Sequence, residues 1–156
     1  MHSKEIYKNP KWPSKPLFYA NFTSITNSHT APDACENGFI LIPLAPGLED
    51  NEELREKYFN IVINRIEKLT KQKIKENIIY KKSFCVNDFI KEYNSYKGNA
   101  YGLANTLLQT AFLRPKLKSS KVKNLFFTGQ LTVPGPGVPP AIVSGKLVSD
   151  LIKKTN

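Results

Sequence analysis

The chain has little of what free-standing catalysis commonly draws on. Its 156 residues include only two cysteines and two histidines. Cys35 and Cys85 are far apart in sequence, and neither has a second Cys or His beside it at metal-ligand spacing. Neither zinc nor a disulfide framework is therefore indicated, and both read as reduced structural thiols. His29 stands in a polar turn and reads as a surface residue. No triad, metal cluster or paired carboxylates can be picked out. No stretch reaches the roughly 18 consecutive apolar residues of a membrane-spanning helix. The opening "MHSKEIYKNPKWPSKPLFY" is basic but lacks the apolar run of about 7–15 residues that marks a secretory signal. A cytoplasmic location is the expectation. Internal repeats and low-complexity tracts are lacking too.

Acidic residues are few, 13 Asp and Glu against 23 Lys and Arg, for a net charge of +10. The lysines are spread over at least three segments: Lys4 to Lys15, Lys68 to Lys82, and Lys116 to Lys123. A nucleic-acid reader concentrates its charge on one element with recognition residues beside it. No such element is recognisable, so no nucleic-acid partner is expected. Solvation of a lysine-rich surface is the plain reading of this charge; attraction to the anionic face of a membrane, which would suit a lipid-soluble substrate, is a weaker further one.

What is present is an α/β pattern. "PLFYANFTSI" (residues 16–25) and "NGFILIPLAP" (37–46) read as strands, the second ending early or lying at an edge because of Pro43. "DNEELREKYFNIVINRIEKLTKQ" reads as a helix. Leu54, Tyr58, Ile61, Val62, Ile66 and Leu69 share one face, with acidic residues at its start and lysines at its end. "NIIYKKSFC" (77–85) reads as a strand and "VNDFIKEYNSY" as a short helix with Val86, Phe89, Ile90 and Tyr93 on one side. Residues 97–115 read as a loop with a helical turn or two. "NLFFTGQL" reads as a buried strand, apolar on both faces. "PPAIVSGKLVSDLIKK" reads as a helix that opens on prolines needing no donor. Its small residues Ala141, Ser144 and Gly145 would let a neighbouring backbone or a ligand come close.

Between this last strand and helix lies a knot of proline and glycine. Such a loop can bring bare backbone N–H groups and a positive helix end against an anionic or electron-accepting ligand. Gly129, Gly135 and Gly137 remove side chains, and Pro134, Pro136, Pro139 and Pro140 hold one shape. A tight connection within a core is the equal alternative from these residues alone. Arg114, before Pro115, reads either as a structural pairing residue or as one facing a substrate.

Taken together, "GNAYGLANTLLQTAFLRP" and "NLFFTGQLTVPGPGVPPAIVSGKLVSDLI" resemble the C-terminal signature of the carotenoid desaturases of the phytoene desaturase type. These belong to the flavin-dependent amine oxidase superfamily. The resemblance extends upstream through "LFYANFTSITNSHTAPDACENGFILIPLAPGLED" and "SFCVNDFIKEYNSYKGNAYGL". It implies the C-terminal portion of a two-domain, Rossmann-type flavoprotein that binds FAD and dehydrogenates a long isoprenoid polyene in a hydrophobic tunnel. Residues 1–115 would belong to the substrate domain and 116–156 to the FAD domain as its C-terminal strand, loop and helix.

By the same resemblance Gly129 and Gln130 would lie beside the FAD pyrophosphate and ribitol. Pro134, Gly135, Gly137, Val138 and Pro139 would lie under the flavin ring, with backbone groups near its pyrimidine edge. The commoner family pattern "GAGTHPGGGIPG" is replaced here by "TGQLTVPGPGVPPA". Val133 thus stands where a histidine is usual, so polar contacts made through that side chain in other members are not expected here. The family's N-terminal G-x-G-x-x-G unit for the ADP half of FAD has no counterpart in this sequence. The expectation is a C-terminal fragment, inactive without the missing N-terminal portion, with peripheral association to the inner membrane face as an option. The alternative, of a different class, is a non-catalytic basic protein that binds a membrane surface or a partner.

Overall fold

The computed structural model describes residues 2–104 and 106–155. The chain divides into two compact units, Met1–Asn99 and Ala100–Asn156. The first unit holds α1 (His2–Tyr7), β1 (Tyr19–Phe22), β2 (Gly38–Leu41), α2 (Glu52–Thr70) and α3 (Val86–Tyr93). The second holds α4 (Val138–Thr155) together with irregular chain and a short 3-10 turn at Ala111–Leu113. The architecture is mixed helix with a short antiparallel sheet.

The helix periodicity of α2 forms as the sequence predicts, and its ends show why. The Asn51 side chain accepts from Leu54 N at 2.9 Å, satisfying a donor that the helix itself cannot. Glu52 and Glu53 occupy the first turn and Lys68 the last, each matching the sign of the helix dipole there. Beyond the C-terminus, the Glu67 carboxylate accepts from the backbone of Ile74 and Lys75 at 2.6 and 2.8 Å. These bonds hold its carboxyl below the ordinary range, the one from Lys75 most.

The core of the first unit is Val62, Ile63 and Ile66, with Phe18, Ala20, Ile40 and Ile42 packed on it. Burying each of the core's aliphatic side chains stabilises by roughly 1.5–3 kcal/mol. β1 and β2 pair antiparallel, Ala20 opposite Ile40 and Asn21 opposite Phe39. One face of this hairpin therefore meets α2, while Tyr19 and Phe39 on the other face are 58% and 53% exposed. The expected α2 stripe holds at Tyr58, Val62 and Ile66, but Ile63 is buried too and Leu69 is exposed.

The basic opening segment is more integrated than its composition suggests. His2 is buried; its Nδ1 accepts from Leu17 N at 2.9 Å, which leaves Nε2 to donate to Pro43 O at 2.8 Å. Trp12 stacks on Tyr58 at 4.4 Å between ring centroids, and the Tyr58 hydroxyl donates to Pro13 O at 2.8 Å.

Two expected strands do not form. Residues 78–85 have no ladder partner among the described residues, and Ile79 and Tyr80 are exposed. Among the described residues "NLFFTGQL" makes one isolated bridge, Lys118 with Phe126. Its chain bonds there run from Phe127 N to Leu117 O and from Ser119 N to Leu125 O, at 2.8 and 2.9 Å. A strand needs a ladder several residues long, and this segment finds only residues 117–119 to pair with. The expected strand, loop and helix is therefore a bridge, a loop and a helix. The helical turns expected over 104–113 are confined to the 3-10 turn; Asn105 lies outside the described residues.

One ionic junction ties α2 to α3. Arg55 donates to both Asp50 oxygens at 2.7 Å and reaches Asp88 Oδ2 at 2.7 Å. Asp50 also accepts from Asn87 N at 2.8 Å, and its side chain is fully buried. The Arg55 guanidinium holds the Asp50 carboxyl below its ordinary value. Folding is therefore stabilised by ionised Asp50 above the carboxyl's ordinary value, 3.8, and loses this as pH falls through the lowered folded value. Arg55→Met leaves a buried carboxylate without its cation and should cost about 3 kcal/mol at neutral pH. Urea unfolding should show that loss, and it should shrink when Asp50→Asn is added to the same chain.

Candidate functional site

The loop leading into α4 is organised around one hydroxyl. Ser144 is fully buried, and its Oγ donates to Ala141 O at 2.6 Å. With its only proton committed, Oγ accepts from Gly129 N at 2.7 Å and from Thr128 Oγ1 at 2.7 Å. All three positions of the hydroxyl are then filled. Thr132, also buried, closes the turn by donating from Oγ1 to Gly129 O at 2.9 Å and from its backbone N at 3.2 Å.

Two glycines are required by conformation. Gly129 has φ +99°, and a Cβ there would meet nothing within 4 Å, so open space lies in front of the turn. Gly135 has φ +137° and is buried; its Cβ would come 3.3 Å from Arg114 Cζ. Arg114 is buried beside this loop and donates from Nη1 to Gln130 O at 3.3 Å. Gln130 Nε2 donates to Ala100 O at 3.2 Å.

α4 begins at Val138, and its first backbone bond runs from Ala141 N to Gly137 O at 3.0 Å. Pro139 and Pro140 have no N–H, so Val138 N is the donor in the first turn that lacks an intrahelical acceptor. Gly137, Val138 and Pro139 are exposed, as is Pro134, which follows a cis Val133–Pro134 peptide. Residues 100–156 carry Arg114 and seven lysines but one acidic side chain, Asp150. The arrangement can present backbone donors, a positive helix end and a surplus of cations to an anion.

The seven residues singled out from sequence divide in the structure. Gly129, Pro134, Gly137, Val138 and Pro139 offer backbone or apolar surface. Gln130 commits one of its two amide hydrogens to Ala100 O, and Gly135 is an interior position against Arg114. Of the small residues on α4, Ser144 makes the close approach to backbone, while a Cβ at Gly145 would have only an ordinary contact with Thr128 Oγ1 at 3.8 Å. The roles of Thr128 and Thr132 were not readable, since a threonine beside a glycine carries no local signal of which carbonyl or hydroxyl it meets. Alternate residues of the hairpin form the core under α2, and Tyr19 and Phe39 remain outside.

No protein-family model matches the chain. Curated proteins do. It is 42% identical over 151 residues to a carotenoid 3,4-desaturase of Haloarcula japonica, a match covering 97% of this chain and 30% of that protein. The chain belongs to the carotenoid desaturase family. It is also 31% identical to a 4,4'-diapolycopen-4-al dehydrogenase of Metabacillus indicus, over 97% of this chain and 30% of that one. A 4,4'-diapophytoene desaturase of Staphylococcus haemolyticus matches at 31% over 90% of this chain and 29% of its own length. The chain thus spans about 30% of the length of these relatives.

In this carotenoid desaturase segment the Ser144 hydroxyl is the part most exposed to test. Ser144→Ala removes a group that satisfies a donor at Gly129, and should destabilise the second unit by about 2 kcal/mol. Hydrogen exchange should show it as faster exchange at Gly129, with α2 unchanged.

Proposed function

We propose that the chain forms the rear of a flavin site and part of the substrate domain of an FAD-dependent carotenoid desaturase of Rossmann type. Residues 116–156 then belong to the FAD domain and the preceding residues to the substrate domain. The observation that carries the reading is the Gly129–Pro139 loop, where an open glycine turn meets a helix start whose first free donor is Val138 N. The residues present fit the cofactor: no Cβ stands at Gly129, bare backbone is exposed at Gly137 and Val138, and the surrounding unit is poor in carboxylates. The matching relatives, named for acting on carotenoids, support it.

FAD, when bound, supplies a hydride acceptor for dehydrogenation of a long isoprenoid polyene. The chain's own residues do the rest. Gly129 and Gln130 would lie beside the pyrophosphate and ribitol, Gly129 leaving room there because it has no side chain, while Gly137, Val138 and Pro139 would lie along the pyrimidine edge. There the helix end favours negative charge. A hydrocarbon gives no charge to grip, so its recognition rests on apolar area, of which Tyr19 and Phe39 are exposed examples. The remaining two-thirds or so of the relatives' length would supply the grip on the ADP half.

The test is a chimera of the Haloarcula enzyme in which the matching stretch is exchanged for this chain. It should retain flavin and convert its carotenoid; a folded chimera that retains flavin without conversion, or loses flavin, counts against the proposal. Val138→Asp separates binding from folding. An acidic residue in a helix's first turn is neutral or stabilising by about 0.5 kcal/mol, yet it sets a charge against an anionic ligand. Retained melting temperature with about tenfold weaker flavin binding is expected, a loss of roughly 1.4 kcal/mol.

A second reading is favoured by one observation. The second unit combines its cationic surplus with Leu107, Leu108 and Phe112, exposed at 89%, 82% and 88%. Among the described residues no helix is long and apolar enough to cross a membrane, and peripheral attachment to an anionic leaflet, at the cytoplasmic face, is proposed. Sedimentation with phosphatidylserine vesicles should occur at low salt and fade above about 0.5 M, where exposed charges are screened.

A further inference from the structure

We infer that Arg114 is the positioning residue of the Gly129–Pro139 loop, an inference that gains its functional meaning from the flavin reading above. Three observations within the second unit converge on it. The side chain is 4% exposed, an uncommon burial for arginine. Its guanidinium reaches across the loop, donating from Nη1 to Gln130 O at 3.3 Å. It also fills the space under Gly135, where an added Cβ would stand 3.3 to 3.5 Å from Cζ, Nε and Nη2.

One planar group thus hydrogen-bonds the loop at Gln130 and packs against it at Gly135, five residues on, while Ser144 holds its start at Gly129. A guanidinium is rigid and planar, so it can bond at Gln130 while its flat group fills the space under Gly135; a lysine ammonium is a point charge on a flexible stem and cannot do both. Gly135 follows from the same contact, since any side chain there would press on the guanidinium in addition to straining a φ of +137°. Fixing the loop from its buried side keeps Gly137, Val138 and Pro139 in one arrangement on the exposed side, which lowers the ordering cost of any ligand that binds there.

Hydrogen exchange of the chain by itself, without flavin, tests the positioning. Arg114→Gln should raise exchange across residues 129–138 about tenfold, equivalent to roughly 1.4 kcal/mol, while α4 beyond Ser144 and α2 keep their protection. Arg114→Lys, retaining the cation and one donor, should recover part of that protection. Unchanged exchange in Arg114→Gln, equal acceleration in the two variants, or acceleration spread along α4 in both would overturn the inference, the last showing general packing instead. In the chimera, flavin affinity should fall in the order wild type, Arg114→Lys, Arg114→Gln; equal affinities overturn the functional half. A wild-type chimera that holds no flavin sinks the flavin reading alone, because the exchange result stands without it.

Discussion

The second unit hangs on the saturation of one serine hydroxyl. Ser144 has one proton to give and two lone pairs to offer, and Ala141, Gly129 and Thr128 take all three. Because the hydroxyl belongs to α4 while Gly129 opens the loop, the helix start and the turn are fixed to each other. The flavin reading depends on that fixed relation: the helix end is useful to it only if its first free N–H and the open glycine turn face a ligand together. Larger side chains at 144 would displace the turn, and an apolar one would leave a donor unsatisfied.

The first unit is held by different physics. Its centre is apolar, with aliphatic residues of α2 covered by one face of a two-stranded hairpin. Its polar connections include an ionic junction, Asp50 with Arg55 and Asp88 with Arg55. The charge inventory differs in the same sense, since twelve of the 13 acidic residues lie before residue 100. A segment almost free of carboxylates is poorly suited to neutralise its own cations, and well suited to meet an anion supplied from outside.

Part of this was legible in the sequence, and the physical reasons separate what was from what was not. α2 repeats its apolar residues with the helical period and carries charges of the right sign at each end, so it can be read from local information. The proline and glycine loop was visible for the same reason, as its backbone restrictions are properties of the residues themselves. "NLFFTGQL" was misread because apolar residues on both faces describe burial, whereas a strand also needs a neighbour to bond with, and only residues 117–119 are there. His2 could not be found at all: its partners Leu17 and Pro43 are distant in sequence, and no local pattern announces them. Arg114 stood between two readings until the structure set it against Gln130 and Gly135; the first is a backbone carbonyl and the second a position without a side chain, so neither advertises a partner.

The prolines of the loop also act where no structure exists. Pro134, Pro136, Pro139 and Pro140 each narrow the conformations open to the unfolded chain, and a compatible proline stabilises by about 0.4–1 kcal/mol through that effect. Their contribution leaves no trace among the folded contacts. The disordered chain has less freedom to surrender in this stretch than in the lysine-rich segment before it, so the shape of the loop is partly a property of the polymer before it folds.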